Sequence, residues 1–177
     1  QEVRTMKELF YNLKALAWQP FTENKIGIMS NSGGCGVLLA DACKEYGLRL
    51  ANLNKEKFKE INESPIMKRK LAFHNPVDIY GDALDDRYEL VINNLLEQKE
   101  VKGLIVAQTL QAMTPVQKNA KIIVEAHKKH PNKPIVCLFM GGKNIASGVQ
   151  FLEKNKIPNY FDPEEAVLAM KSLIKNK

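Results

Sequence analysis

Residues 25–36 read Lys25-Ile26-Gly27-Ile28-Met29-Ser30-Asn31-Ser32-Gly33-Gly34-Cys35-Gly36. The apolar start predicts a buried strand, and the glycine-rich end predicts a tight turn that leads into a helix over residues 37–46. Such a turn leaves backbone N–H groups free, and the positive end of the helix dipole faces the same side. Glycine also lets an anion approach the backbone, because no Cβ stands in the way. The stretch therefore indicates either a phosphate site or a tight turn without a ligand.

The glycine-rich motif does not identify a nucleotide. No Gly-Lys-Ser/Thr follows it, so it is not a Walker loop, and its spacing is not Gly-x-Gly-x-x-Gly. We predict that phosphate or sulfate binds at the backbone of residues 32–36. The candidate phosphate-binding residues are Asn31, Ser32, Gly33, Gly34, Cys35 and Gly36.

Length and composition are those of an ordinary globular domain. The chain has 177 residues, of which 45% are hydrophobic and 26% are charged, and this length is enough to bury a core. The net charge of +6 comes from scattered lysines. Nucleic acid is not an expected partner, because no basic stripe is interleaved with aromatic residues. The first residue is Gln1, which suggests a piece of a longer polypeptide.

The expected location is the cytoplasm. The apolar runs are far shorter than a membrane-spanning helix, and no signal peptide is recognised at the start, so no membrane partner is expected. Cys35, Cys43 and Cys137 show no Cys-x-x-Cys pairing, which suits reduced thiols in a reducing compartment. The histidines do not have the spacing of metal ligands, and no metal site is predicted.

Strand-like and helix-like segments alternate along the chain, which is typical of a parallel sheet covered by helices. We predict a three-layer α/β fold with a five-stranded parallel sheet in the order 2-1-3-4-5. The predicted strands are Lys25–Ser30, Arg49–Leu53, Gly103–Gln108, Pro134–Met140 and Asn159–Phe161. Residues 1–22 are predicted to form a connector helix, and residues 23–177 the α/β domain.

Three helix starts carry capping signals. Thr5, Thr114 and Asp162 each stand three residues before a glutamate or a glutamine, and proline follows the last two at the predicted first helical position. The helix after the glycine-rich stretch is apolar around most of its circumference, so we expect it to be largely buried.

Four polar loops follow predicted strands and indicate a site, because ligands of open parallel sheets bind beyond the carboxyl ends of the strands. The loops are residues 31–36, 74–82, 108–115 and 141–144. The predicted site-lining residues are Asn75, Asp78, Gly81, Gln111, Thr114, Gly141 and Gly142. Asp78 and Asp82 allow two interpretations. They form a carboxylate pair for acid–base or metal chemistry, or one aspartate, Asp82 or Asp85, caps a helix.

Together, these loops resemble one family, the nucleoside-diphosphate-forming acyl-CoA synthetases, which are relatives of succinyl-CoA synthetase. The family motif Asn-Ser/Ala-Gly-Gly-Pro-Gly-Val corresponds to residues 31–37, and Ala-Ala-Asp-Ala-Cys corresponds to residues 39–43. Similar family motifs match residues 74–83, 109–115 and 140–142, so the resemblance covers essentially the whole chain in order. Cys35 and Leu110 stand where the family has proline. His74 stands where it has glycine, which leaves the path of that loop open.

The resemblance implies the second of two flavodoxin-like ligase domains. The enzymes of this family convert an acid, CoA and ATP into acyl-CoA, ADP and phosphate. A histidine in a His-Thr-Gly loop of the other flavodoxin-like domain carries the phosphoryl group, and two helix N-termini face it. The helix that starts at Gly34–Val37 would be one of them, which suits a step stabilised by fixed dipoles. No catalytic residue is expected in this chain, because that loop is missing from its sequence.

The implied partners are the other domains or subunits of the synthetase: a CoA-binding domain, a phosphohistidine-bearing domain and an ATP-grasp domain. The whole enzyme would use ATP/ADP, Mg and CoA. This domain alone would bind none of these cofactors and would be inactive in isolation.

Three other functions compete with this interpretation. A non-catalytic ligand-sensing domain, like the synthetase-like region of some protein acetyltransferases, stays open, and the flanking sequence would distinguish it. A flavodoxin is disfavoured because the loops lack aromatic residues to sandwich a flavin ring. A response-regulator receiver is disfavoured because the first predicted strand ends in Ser30-Asn31 rather than in an acidic residue.

Overall fold

The structure, a computed structural model, describes residue 3 and residues 5–175. In this part of the chain, five parallel strands form one sheet in the order β2-β1-β3-β4-β5, which confirms the predicted topology. The strands are β1 (Ile26–Ser30), β2 (Val77–Asp78), β3 (Gly103–Thr109), β4 (Ile135–Met140) and β5 (Asn159–Tyr160).

Helices cover both faces of the sheet, so the fold has the three predicted layers. They are α1 (Met6–Trp18), α2 (Gly33–Glu45), α3 (Lys55–Glu63), α4 (Asp85–Glu97), α5 (Val116–Lys129), α6 (Ala146–Lys154) and α7 (Pro163–Ser172), with a short 3-10 helix (Gly142–Ile145) before α6. One core joins α1, α2 and α7 to the sheet, and a second core joins α3 to α6 to its other face. None of the described helices has the length and apolarity that crossing a membrane requires.

The second strand of the sheet is not where we predicted it. Arg49–Leu53 does not form a strand; Leu50 makes only an isolated parallel bridge with Ile26, at the start of β1. The far end of the same edge is completed by β2, in which Val77 pairs with Met29. Two separate segments therefore share the edge of β1.

The side chain of Asn75 explains this division, because it fills the gap between the two segments. Its Oδ1 accepts a hydrogen bond from the Ile28 N–H at 2.9 Å. Its Nδ2 donates to the carbonyls of Ile26 at 2.9 Å and Ala51 at 3.1 Å. A side-chain amide thus replaces the pairing that a continuous strand would provide.

Two of the three predicted helix caps are confirmed. Thr5 accepts a hydrogen bond from the Glu8 N–H at 3.1 Å and caps α1. Asp162 accepts from the Glu164 N–H at 2.8 Å and caps α7, with Pro163 at the first helical position. Both caps satisfy backbone donors that have no partner inside the helix.

The predicted cap of α5 is wrong. The Thr114 hydroxyl accepts a hydrogen bond from the Gln111 N–H at 2.9 Å, so it serves the loop before the helix. The helix begins at Val116 and Pro115 is its cap residue, one position later than the capping motif predicts.

The helix after β1 starts earlier and is more exposed than predicted. It begins at Gly33 instead of Val37, because the Gly36 N–H donates to the Ser32 carbonyl at 3.0 Å and closes the first turn. Val37 and Leu38 are 59% and 58% exposed, so this chain alone does not bury the apolar circumference of α2.

Helix α1 packs against α7 as part of the same body. Lys7 and Tyr11 of α1 both hydrogen-bond to the carboxylate of Glu165 on α7. Residues 1, 2 and 4 of the predicted connector, and residues 176 and 177 of the predicted domain, lie outside the described residues. The boundary between connector and domain stays a prediction.

Candidate functional site

The first turn of α2 presents backbone donors at the carboxyl edge of the sheet. Within the described part of the chain, the N–H groups of Gly33, Gly34 and Cys35 meet no hydrogen-bond acceptor. The other three candidate residues already donate their N–H groups: Asn31 to Ala107 O at 3.4 Å, Ser32 to Ser30 Oγ at 3.1 Å and Gly36 to Ser32 O at 3.0 Å. Burial raises the pKa of the Cys35 thiol, so this side chain adds no negative charge to the turn. The first turn of α2 can therefore offer an anion three backbone donors.

Asn31 fixes the turn after β1 against the end of β3. Its Oδ1 accepts from the backbone N–H of Thr109 at 2.8 Å and from the Thr109 hydroxyl at 3.2 Å, and its Nδ2 donates to the Thr109 carbonyl at 2.8 Å. Asn31 is 1% exposed, so these bonds are shielded from water. The geometry makes Asn31 a residue that positions the α2 turn.

Gln111, Thr114 and Gly81 gather at the same point. The Gln111 Nε2 donates to Thr109 Oγ1 at 2.8 Å, and the Gln111 N–H donates to Thr114 Oγ1 at 2.9 Å. A Cβ on Gly81 would lie 3.5 Å from Gln111 Cγ and 3.7 Å from the Asn31 carbonyl oxygen. The structure thus brings these three predicted lining residues together with Asn31.

Asp78 lies beside the first turn of α2. A Cβ on Gly33 would be 3.0 Å from Asp78 Oδ2, while Asp78 Oδ1 accepts from the Tyr80 N–H at 2.9 Å. The helix dipole stabilises a carboxylate at this end of a helix. The same carboxylate repels a second anion that approaches the turn. Asp78 therefore brings a negative charge to the edge of the candidate site.

Asp82 is held by an arginine. Its Oδ1 lies 2.6 Å from Arg87 Nη1, and this bond lowers the pKa of the Asp82 carboxyl. The capping interpretation is wrong, since the cap residue of α4 is Leu84 and Asp85 pairs with Lys118 at 3.1 Å. Within residues 3 and 5–175, no group of three or more His, Cys, Asp or Glu side chains is placed to hold a metal ion.

The remaining predicted lining residues have structural partners. The amide of Asn75 is occupied at the edge of β1. Gly142 adopts a left-handed φ of 59°, and a Cβ on Gly141 would approach Leu110 Cβ to 2.7 Å. The Leu110 N–H donates to the Met140 carbonyl at 2.9 Å, so the loops after β3 and β4 pack together. The lining roles of Asn75, Gly141 and Gly142 stay predictions.

A cavity of about 230 Å³ borders the α2 turn on the side of β2. Its walls include Gly33, Gly36, His74 and Asp78. The His74 ring is exposed, and its Nδ1 is hydrogen-bonded to the Pro76 carbonyl. The histidine that departs from the family pattern therefore stands beside the candidate anion site.

Sequence reasoning missed two polar residues of this region. The Ser30 hydroxyl accepts from the Ser32 N–H at 3.1 Å and donates to the Ser32 carbonyl at 2.9 Å. Thr109 links Asn31 to Gln111. Both residues end an apolar strand, and a polar residue in that position is the signal that could have identified them.

Several exposed apolar side chains belong to segments that follow the strands in sequence, after the edge of the sheet where the candidate site lies. They follow β1, β2, β3 and β5, and each is at least 40% exposed: Val37, Leu38, Leu84, Met113 and Phe161. Exposed apolar groups beside a polar site are typical of an interface. A surface that covers them would also exclude water from the α2 turn.

Comparison with known proteins assigns a family to this arrangement. A family model described as the ligase-CoA domain matches residues 26–174. The chain belongs to the ligase-CoA domain family. The ADP-forming acetate–CoA ligase I of Archaeoglobus fulgidus is 35% identical to it over 173 residues, which cover 97% of this chain and 24% of that protein. The alpha subunit of the ADP-forming acetate–CoA ligase II of Pyrococcus furiosus is 34% identical over 174 residues, 96% of this chain and 37% of that subunit.

The fold of this ligase-CoA domain is also found in solved structures. The dinucleotide-forming acetyl-coenzyme A synthetase 1 of Ca. Korarchaeum cryptofilum, in complex with phosphate and ADP, superposes with a TM-score of 0.88 at 32% identity. The match covers 97% of this chain and 37% of that chain. The resemblance to acyl-CoA synthetases is thereby confirmed. The chain spans well under half the length of these relatives.

Proposed function

We propose that this ligase-CoA domain uses the first turn of α2 to hold a phosphoryl group during ADP-forming acid–CoA ligation. The observation that carries the proposal is that the N–H groups of Gly33, Gly34 and Cys35, at the positive end of a 13-residue helix, have no acceptor among the described residues. Fixed backbone donors stabilise phosphate oxygens without rearrangement. The names of the relatives support the proposal, because those from Archaeoglobus and Pyrococcus are ADP-forming acetate–CoA ligases.

In the proposed reaction, a carboxylic acid, CoA and ATP give acyl-CoA, ADP and phosphate. A histidine of another domain carries the phosphoryl group, and a CoA-binding domain and an ATP-grasp domain supply the other sites. ATP/ADP, Mg²⁺ and CoA belong to those parts of the assembled cytoplasmic enzyme. No residue of this chain has a covalent role, so the chain is inactive alone.

The contribution of this domain is electrostatic. A phosphoryl group in transfer spreads its charge over three equatorial oxygens, which suits a turn with several N–H donors. One helix end contributes about 0.3–1 kcal/mol when exposed and up to about 2 kcal/mol when partly buried. A partner domain that covers Val37, Leu38 and Met113 would exclude water and so strengthen the interaction. The bonds between Asn31 and Thr109 keep the donors in place.

Replacement of Gly34 by valine tests the site. Titration with inorganic phosphate, followed by amide chemical shifts, is expected to move the Gly33, Gly34 and Cys35 resonances of the wild-type chain. Gly34→Val is expected to weaken phosphate binding at least about tenfold, because a branched side chain covers the donors. The fold should persist, since a Cβ on Gly34 meets nothing within 4 Å. Ala17→Val, on the exposed face of α1, is the control; equal phosphate binding by Gly34→Val would contradict the proposal.

Removal of the charge of Asp78 should have the opposite effect. Asp78→Asn is expected to strengthen phosphate binding about tenfold, because a carboxylate no longer repels the anion. The asparagine oxygen can still accept from the Tyr80 N–H, so the loop should keep its path. The gain should shrink as salt is added. Asp41→Asn, on an exposed later turn of α2, removes the same charge as a control, and identical affinities for both variants would show that Asp78 does not face the anion.

A further inference from the structure

The outward face of α1 carries large apolar side chains. Met6, Phe10 and Leu13 are 66%, 63% and 50% exposed, whereas the buried residues of α1 are Asn12 and Ala15. Together with Ala17, which is also exposed, these residues recur at intervals of four, three and four, which is the spacing of a helix–helix seam. The seam consists of Met6, Phe10, Leu13 and Ala17. The outer face of α1 is therefore patterned to pack against another helix.

A groove of about 910 Å³ runs along α1 beside this seam. Its apolar lining includes Leu9, Leu13 and Leu16 of α1, together with Phe21 and Ile174. Leu13 belongs to both the seam and the groove, and Phe21 is 57% exposed. Seam and groove form one continuous apolar surface.

The polar groups of the groove indicate the chemistry of its occupant. Among the described residues that line it, the charged ones are Lys171 and Lys175. Asn12 also lines the groove and is 6% exposed, and its Oδ1 has no hydrogen-bond partner in the described part of the chain. The apolar lining and the two lysines therefore fit an apolar segment that carries negative charge.

A second copy of this chain fits the groove poorly. The groove of a second copy would offer the same two lysines, Lys171 and Lys175, and no acidic group among its described lining residues to pair with them, in a chain whose net charge is +6. Like charges across an interface are unfavourable. The charge pattern thus favours a different, acidic partner.

We infer that the α1 groove docks an amphipathic α-helix whose apolar seam is flanked by glutamate or aspartate, and that another part of the synthetase contributes this helix. The relatives are long enough to contain such a helix outside the matched region, since the match covers 24% of the Archaeoglobus ligase and 37% of the Pyrococcus subunit. The groove shares no residue with the α2 turn. The inference goes beyond the proposed function and rests on it only in naming the source of the helix.

The test uses the full chain and two stapled helical peptides of three heptads. Both peptides carry the same seam of leucines. Glutamates flank the seam in one peptide and lysines flank it in the other. Binding is followed by fluorescence anisotropy. The glutamate peptide is expected to bind at least about tenfold more tightly than the lysine peptide. Leu13→Asp and Phe10→Asp should each abolish this binding. Phe73→Asp should bind like the wild type, because Phe73 is a comparably exposed apolar residue, at 50%, outside the groove.

The variants should unfold within a few degrees of the wild type, because the substituted side chains are at least half exposed. No binding of the glutamate peptide at about 1 mM, equal binding of the two peptides, or binding that Leu13→Asp leaves intact would each overturn the inference. A dimer in sedimentation velocity that Leu13→Asp abolishes would also overturn it, because a second copy would then occupy the groove. The phosphate titration reports on α2 alone, so failure there is distinguishable from failure here.

Discussion

Asn75→Ala is expected to lower the free energy of unfolding by about 2–5 kcal/mol. The substitution removes the only described partners of the Ile28 N–H and the Ala51 carbonyl, both in buried residues. Each buried group left unpaired costs about 1–3 kcal/mol. The Ile26 carbonyl keeps its bond from the Ala51 N–H at 2.9 Å, which limits the loss on that side.

Chemical denaturation followed by circular dichroism measures this loss. Asn52→Ala is the matched control, because Asn52 is an exposed residue of the segment beside Ala51. It should change the free energy of unfolding by less than about 0.5 kcal/mol. A loss below about 1 kcal/mol for Asn75→Ala would contradict the role of its amide as a substitute for strand pairing.

The edge of the sheet shows what periodicity can and cannot predict. The long apolar strands β1, β3 and β4 are recognisable because burial on both faces leaves a continuous apolar run. Strand β2 has only two residues, which is too short to carry a pattern. The strand order was nevertheless predicted correctly, because it follows from the crossovers and not from the length of any strand.

Burial was overestimated on α2 for a related reason. An apolar circumference indicates that a surface is covered, but it does not say which chain covers it. In this structure Val37 and Leu38 are exposed, and Met6 and Phe10 of α1 are exposed in the same way. The chain spans 37% of the length of the Pyrococcus subunit, and in our proposal other domains of the synthetase cover such faces.

The place of the candidate site was predictable, and its bonding was not. Topology alone brings the loops after the strands to one edge of the sheet. The sequence cannot reveal that the Asn31 side chain hydrogen-bonds to Thr109, or that the Gly36 N–H donates to the Ser32 carbonyl and so forms the first turn of α2. These bonds depend on side-chain and backbone positions. They reduce the free donors of the predicted phosphate site to the N–H groups of residues 33–35.

The isolated chain is expected to take up no radiolabelled phosphate from ATP and to form no acyl-CoA. The transferable histidine and the nucleotide site belong, in our proposal, to other domains. His74 lines the cavity beside the α2 turn, but its ring is exposed to water. In that setting the helix end would stabilise a phosphorylated ring by only about 0.3–1 kcal/mol. Addition of the domains that our proposal assigns to the rest of the synthetase should produce both labelled protein and turnover, with the label on a histidine outside this chain.

In the reassembled enzyme, Gly34→Val should reduce labelling and turnover at least about tenfold, because the α2 donors no longer reach the phosphoryl group. Asn52→Ala, far from the turn in sequence and exposed, is the control for assembly. Acid-labile label on His74 of the isolated chain would contradict the assignment. Because the Nδ1 of His74 is hydrogen-bonded to the Pro76 carbonyl, the Nε2 is the nitrogen left to react. Phosphate on that atom would make this chain the phosphoryl carrier, and the α2 turn would then serve a histidine of its own domain.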